Sequence, residues 1–164
     1  EYNKVISLVL TDCSHMTQKN YSKQNCPISL SLSVLGGQWT LLIARNLMNG
    51  INRFEGLQKN LNISRNLLTQ RLREMEQYGL TKRVVPEGYR RAIYEPTKKC
   101  YDLTNTLLAL SEWSEKWMPD PLGPRIKVKR KKNGKALRLA LVPTDQAEKI
   151  AEEDFEIKFG SALG

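Results

Sequence analysis

The chain has 164 residues, enough for one well-packed domain plus an accessory element. It carries 26 Lys and Arg against 17 Asp and Glu, which favours a polyanionic partner, and no apolar run approaches the ~20 residues of a membrane span. Cys13, Cys26 and Cys100 are odd in number and form no CxxC pair, so neither a disulfide framework, a zinc site nor any other cofactor is expected, and a reducing cytoplasm is the natural setting.

The chain begins with Glu1, and Ser14-His15-Met16 resembles the scar left by a cloning vector. That would make Met16 the native start and residues 1–15 vector-derived or disordered; a genuine apolar strand at residues 5–10 is the alternative. Pro27 at the first helical position then opens a short helix over residues 28–35, closed by Gly36-Gly37. A second helix spans residues 39–48, apolar at Trp39, Leu42, Ile43 and Leu47 and ended by Asn49-Gly50. Residues 53–61 form a short third helix with Phe54, Leu57 and Leu61 on one side.

A tight turn at residues 60–63 joins this helix to the most informative stretch, a helix over residues 64–78. Ser64 is a good N-cap, and Gly79 can supply the left-handed residue that ends the helix. At about 100° per residue, Leu67, Leu68, Leu72 and Met75 fall in one arc, with Asn66, Thr69, Gln70, Arg73 and Gln77 opposite. Ordinary surface helices show lysine and glutamate on their outer face, whereas these side chains pair with base edges and phosphates. Arg71 lies inside the apolar arc, so its stem should pack and its head should find a partner. A short helix, a tight turn and a longer polar-faced helix make a helix-turn-helix, whose second helix enters the major groove. Lys82-Arg83-Val84-Val85, the turn Pro86-Glu87-Gly88-Tyr89 and the run from Arg90 to Glu95 then read as a two-stranded wing with cations near its tip.

A long helix is expected over residues 101–117, bearing Leu103, Leu107, Leu110, Trp113 and Trp117 and closed by Pro119-Asp120-Pro121. Its apolar surface exceeds what one small domain can bury, so a partner surface is expected. Beyond Pro124, Ile126 and Val128 alternate with cations, Asn133-Gly134 signals a hairpin turn, and Leu137, Leu139 and Leu141 alternate again, as do Phe155, Ile157 and Phe159. This reads as a small β-appendage. Charge is segregated along the chain: residues 53–99 hold eleven cations and five acids, residues 125–138 hold eight cations and no acid, and residues 145–164 are net acidic. For the basic hairpin, a solvated exterior is favoured over a DNA-facing surface.

Several motifs occur in order and carry a family resemblance. They are Cys26-Pro27-Ile28, the run from Gly36 to Ile43, Arg53-Phe54-Glu55-Gly56-Leu57, the run from Leu68 to Glu76, Gly79-Leu80 and Tyr94-Glu95-Pro96-Thr97. Over roughly residues 26–118 the chain resembles the HxlR branch of the MarR-like transcription regulators. The resemblance implies a homodimeric winged-helix protein that binds double-stranded DNA, with the terminal helices of two subunits packed together. It also implies that Cys26, at a Cys-Pro position through which some members sense electrophiles or oxidants, is a candidate sensor. A small apolar cap with incidental reactivity is the competing reading of Cys26, and a small-molecule inducer is equally open. One departure is visible: where the family usually has Thr-x-x-Gly, this chain has Thr97-Lys98-Lys99-Cys100.

The expected fold is therefore mainly α with small β: a three-helix core and a β-hairpin wing, flanked by dimerisation helices and followed by the appendage. Residues 16–119 form the DNA-binding part and residues 120–164 the appendage. Asn66, Thr69, Gln70 and Arg73 are assigned to the major groove, and Ser64 and Arg65 to phosphate. Lys82, Arg83, Arg90 and Arg91 are assigned to backbone or minor-groove contact from the wing. Leu107, Leu110, Trp113 and Trp117 are candidates for interface or core. An architectural or RNA-binding protein would use the same basic surface without base readout. No catalytic or metal-binding residues are assigned, since no nucleophile–base pair, phosphate loop or metal-ligand spacing is present.

Overall fold

The computed structural model describes residues 26–143, Asp145, Ile150 and residues 154–159. The expectations for residues 1–15 and for Cys13 lie outside them. The chain divides into two compact units, Glu1–Tyr101 and Asp102–Gly164.

In the first unit, α1 (Pro27–Leu35) and α2 (Gln38–Met48) are followed by α3 (Phe54–Leu61) and α4 (Arg65–Gln77). Two antiparallel strands come next, β1 (Thr81–Val84) and β2 (Ile93–Pro96), and then a single helical turn, α5 (Lys98–Tyr101). Ile43, Ala44 and Leu47 of α2, Leu57 of α3 and Leu68, Leu72 and Met75 of α4 are buried with Ile63, Leu80 and Cys100. Each large apolar side chain so buried stabilises the unit by about 1.5–3 kcal/mol. The periodicity read from residues 64–78 is thus the periodicity of the core.

The turns follow from their residues. Asn62 takes a left-handed conformation (φ 49°) at the end of α3, which asparagine tolerates better than most residues, and delivers Ile63 into the core. Gly79 (φ 68°) ends α4, where the Leu80 N–H reaches back to the Met75 carbonyl at 2.8 Å. The Lys99 ammonium also donates to the Tyr78 carbonyl at 2.8 Å, placing a cation at the negative end of α4. In the departure from the family pattern, the Thr97 hydroxyl donates to the Gly79 carbonyl at 2.6 Å, and Cys100 fills the core, fully buried.

Three differences from the sequence reading concern element boundaries. The helix expected over residues 101–117 is interrupted at residues 102–103, separating α5 from α6 (Thr104–Trp117). Asp102 lies in that break and Thr104 follows it, and their short polar side chains suit helix ends better than interiors. The second wing strand begins at Ile93 and not at Arg90. Arg53 forms a single bridge to Ile93, and the Tyr94 N–H donates to the Asn52 carbonyl at 2.8 Å, so the segment before α3 adds to the wing sheet. One bridge has no periodicity and left no mark on the sequence.

In the second unit, α6 precedes a three-stranded antiparallel sheet in the order β4 (Ala136–Leu137), β3 (Ile126–Arg130), β5 (Phe155–Phe159). The Asn133-Gly134 turn forms as expected, with Gly134 at φ 67°. The alternation of Leu139 and Leu141 does not extend the strand: β4 stops at Leu137 and Leu141 is exposed. Leu110, Trp113 and Trp117 of α6 are all exposed. Among the described residues no single helix is long and apolar enough to cross a membrane.

Leu68→Ala, at a fully buried position, should lower unfolding free energy by about 2–5 kcal/mol in urea titrations. Ser64→Ala should remove about 1 kcal/mol of capping, and Gln77→Ala, on the exposed face, should stay within about 0.5 kcal/mol of the parent.

Candidate nucleic-acid interface

Burial of Leu68, Leu72 and Met75 turns the opposite face of α4 outward, so that Asn66, Gln70 and Arg73 are exposed and Thr69 is half-buried. Ser64 caps the helix as its sequence suggests, its hydroxyl accepting from the Leu67 N–H at 3.4 Å. The Thr69 hydroxyl donates to the Arg65 carbonyl at 2.8 Å, which leaves its oxygen able to accept a further hydrogen bond. Gln70 Nε2 donates to Glu74 Oε1 at 2.9 Å. Among the described residues, the side chains of Asn66 and Arg73 make no hydrogen bond or ion pair. The Arg65 guanidinium lies 5.4 Å from the centre of the Phe54 ring, held at the flank of the helix.

Arg71 behaves as its place in the apolar arc predicts. Its Nη1 donates to Glu74 Oε2 at 2.6 Å, with both side chains largely buried. Its Nε is buried with no partner among the described residues. The guanidinium also packs on Gly37, where an added Cβ would stand 3.1 Å from Arg71 Cζ. Gly37 therefore serves close approach between α2 and α4. A second polar link ties α2 to α3: Arg45 donates to buried Asn46 Oδ1, and Asn46 Nδ2 donates to Asn60 Oδ1 at 2.8 Å. Partial burial of Arg45 lowers its pKa.

The wing places its cations in two settings. Lys82 and Arg83 are exposed neighbours on β1, opposite Glu95 and Tyr94 in register, and alternation sends them to different faces. Arg90 and Arg91 lie in the irregular tip over residues 85–92 and not on a strand, so alternation does not force them apart. Arg91 Nη1 contacts Glu55 Oε1 at 2.9 Å, and the Arg53 guanidinium lies 5.8 Å from the Tyr89 ring centre. The tip is thereby tied to the start of α3. Sequence reasoning missed Arg53, Glu55 and Tyr89, because pairs separated by about 36 residues leave no local signal.

Cys26 occupies the N-cap position of α1, before Pro27. Hydrogen bonds from the Ser29 N–H, the Ser29 hydroxyl and the Ile28 N–H lower its thiol pKa below the ordinary value. Burial does the opposite at Cys100, whose pKa is pushed up to about 11. Among the described residues no three His, Cys, Asp or Glu side chains group in a way that could hold a metal ion.

Comparison with known proteins accords with this geometry. A family model described as HxlR-like helix-turn-helix matches residues 34–121. An uncharacterised HTH-type transcriptional regulator of Mycobacterium tuberculosis, Rv3095, is 34% identical over 124 residues, spanning 75% of this chain and 78% of that protein. The crystal structure of PA1607, assigned as a transcription factor, superposes with a TM-score of 0.70 at 28% identity, covering 83% of this chain and 96% of the other. The redox regulator HypR in its reduced form gives a TM-score of 0.51 at 28% identity over 56% of this chain and 92% of its own.

Glu74 accepts from Gln70 on the outer face and from Arg71 on the inner one. Glu74→Gln should therefore lower unfolding free energy by about 1–3 kcal/mol, the range for a charged hydrogen bond in a largely dry setting. Glu55→Gln, which breaks an exposed pair, should change it by less than about 1 kcal/mol. Urea unfolding of both variants checks the contrast.

Proposed function

We propose that this chain, which belongs to the HxlR-like helix-turn-helix family of DNA-binding transcriptional regulators, works as a homodimer. In this reading it binds an inverted-repeat operator through α4 and the wing. The carrying observation is the outer face of α4, where Asn66, Gln70 and Arg73 stand exposed on a helix whose other face is the core. Asn66, Thr69, Gln70 and Arg73 read bases, with Gln70 suited to adenine and Arg73 to guanine. Ser64 and Arg65 hold phosphate at the start of the helix, and Lys82, Arg83, Arg90 and Arg91 contact the backbone from the wing. The exposed Arg91–Glu55 pair is weak enough to exchange for phosphate.

The dimer reading rests on apolar surface. Leu110, Trp113 and Trp117 on α6 are exposed, and Leu107 is half-buried beside them. Exposed aromatic side chains in one stripe suit a partner subunit. Two recognition helices related by a twofold axis would then read half-sites about 34 Å apart. Residues 16–119 serve DNA binding and dimerisation, and the appendage begins at residue 120. The family's regulators leave an enzyme without support. An architectural role without base readout would not call for Asn, Gln and Arg presented together on α4.

Two modes of response have physical support. Cys26 is held at a helix N-terminus with its thiolate favoured, and a redox regulator is among the structural neighbours. Separately, two adjoining cavities of about 340 and 280 Å³ in the second unit, both lined by Leu108, Glu112, Val128 and Leu137, offer room for a small-molecule inducer.

Selection of bound genomic fragments followed by footprinting should reveal an inverted repeat protected on one DNA face. Gln70→Ala and Arg73→Ala should each lose about 1–3 kcal/mol of discrimination between operator and random duplex. Variants that bind the operator as tightly and selectively as the parent would refute the assignment.

At neutral pH an alkylating reagent should label Cys26 well before Cys100, since one thiol pKa is lowered and the other raised. Quinone treatment should change operator affinity in the parent and leave Cys26→Ser unaffected. A response that persists in Cys26→Ser would remove this thiol as the switch.

A further inference from the structure

The family match ends at residue 121 and so gives the hairpin beyond it no role. That hairpin is the most basic part of the chain, with eight cations and no acid over residues 125–138. The cations are not equivalent. Arg125 Nε is paired with Asp120 at 2.9 Å, and Lys129 lies opposite Glu156 in the sheet register. Lys127, Lys131, Lys132, Lys135 and Arg138 are exposed and make no ion pair among the described residues. Alternation along β3 assigns Ile126 and Val128, in register with Leu137 and Ile157, to one side, and Lys127 and Lys129 to the other.

The lysine-bearing turn is also built. The Gly134 N–H donates to the Arg130 carbonyl at 2.8 Å, the Arg130 N–H to the Lys135 carbonyl at 2.9 Å, and the Lys135 N–H to Asn133 Oδ1 at 3.1 Å. Lys131, Lys132 and Lys135 are therefore held on one ordered tip. Like charges gathered on one turn repel one another, which destabilises the free protein. A polyanion laid against the tip removes that repulsion. Ammonium groups act as point charges and suit backbone phosphate more than bidentate base readout.

We infer that the β3–β4 hairpin, with Lys131, Lys132 and Lys135 at its tip, is a second and sequence-independent DNA contact that grips backbone phosphates. The inference rests on the DNA-binding reading above. Duplex DNA is the occupant because the chain belongs to a DNA-binding family and the positive charge of the tip is complementary to backbone phosphate. This reading departs from the expectation of a merely solvated exterior.

The test uses the full chain with Lys131, Lys132 and Lys135 all changed to Gln. Binding to a labelled random-sequence duplex of about 40 base pairs is followed by anisotropy from about 50 to 200 mM salt. The parent should bind, and the triple variant should bind more weakly, with the slope of log affinity against log salt reduced by about 2–3 units. The corresponding triple Arg variant should keep the parent slope. An unchanged slope in the Gln variant overturns the inference and leaves the DNA-binding reading intact, whereas a parent that binds no duplex overturns both. Loss of binding to phosphatidylserine vesicles or to single-stranded RNA, with duplex binding unchanged, would likewise overturn it in favour of that other polyanion.

Discussion

Burial of one face of α4 governs the arrangement of everything else in the first unit. Leu68, Leu72 and Met75 recur at steps of four and three, and the core takes all three to nearly complete exclusion from water. With that face fixed, helical geometry leaves no choice about where Asn66, Gln70 and Arg73 go. The polar surface is a by-product of apolar packing, and its rigidity is that of the core. A polar surface made this way needs no flexible loop to present it.

The rest of the unit holds α4 at its two ends and on its flank. Ile63 at the entry and Leu80 at the exit are both buried, so the chain on either side is anchored next to the helix. The Thr97 hydroxyl bonds the Gly79 carbonyl, which couples the end of the wing sheet to the end of α4. Glu55 and Arg53 tie the far tip of the wing to α3 through contacts that are largely exposed and therefore weak. The wing is thus fixed at its base and loosely tethered at its tip. In the proposed reading, that combination suits a segment that settles on phosphates whose positions vary with sequence.

Much of this was legible in the sequence, for definite reasons. Helices α1 to α4 announce themselves through Pro27, Ser64, Gly79 and apolar steps of three and four, each a local signal. Arg71 could be assigned a structural role because a cation inside an apolar arc must pack its stem and pair its head, as it does with Glu74. The failures are equally local. Leu139 and Leu141 have the alternation of a strand, yet β4 ends at Leu137 and the Leu139 N–H donates to Glu112 Oε1 at 2.9 Å instead of joining the ladder. Contacts such as Arg91 with Glu55 and Asn46 with Asn60 depend on how distant segments meet, and no window of sequence contains them.

The carboxylate of Glu74, itself largely buried, holds the exposed Gln70 amide at 2.9 Å while the helix is free. In the proposed reading this gives Gln70 a resting place. On DNA that offers the amide nothing better, the side chain stays on Glu74 and the protein gives nothing up, so weak complexes with the wrong sequence form and dissolve without rearrangement. On a matching base the amide must leave Glu74, and only the excess of the new bonds over the old one counts toward selectivity. Because an exposed side chain changes rotamer in picoseconds to nanoseconds, that exchange does not delay the search along DNA. Speed of scanning and sharpness of discrimination are thereby set by different atoms of one helix.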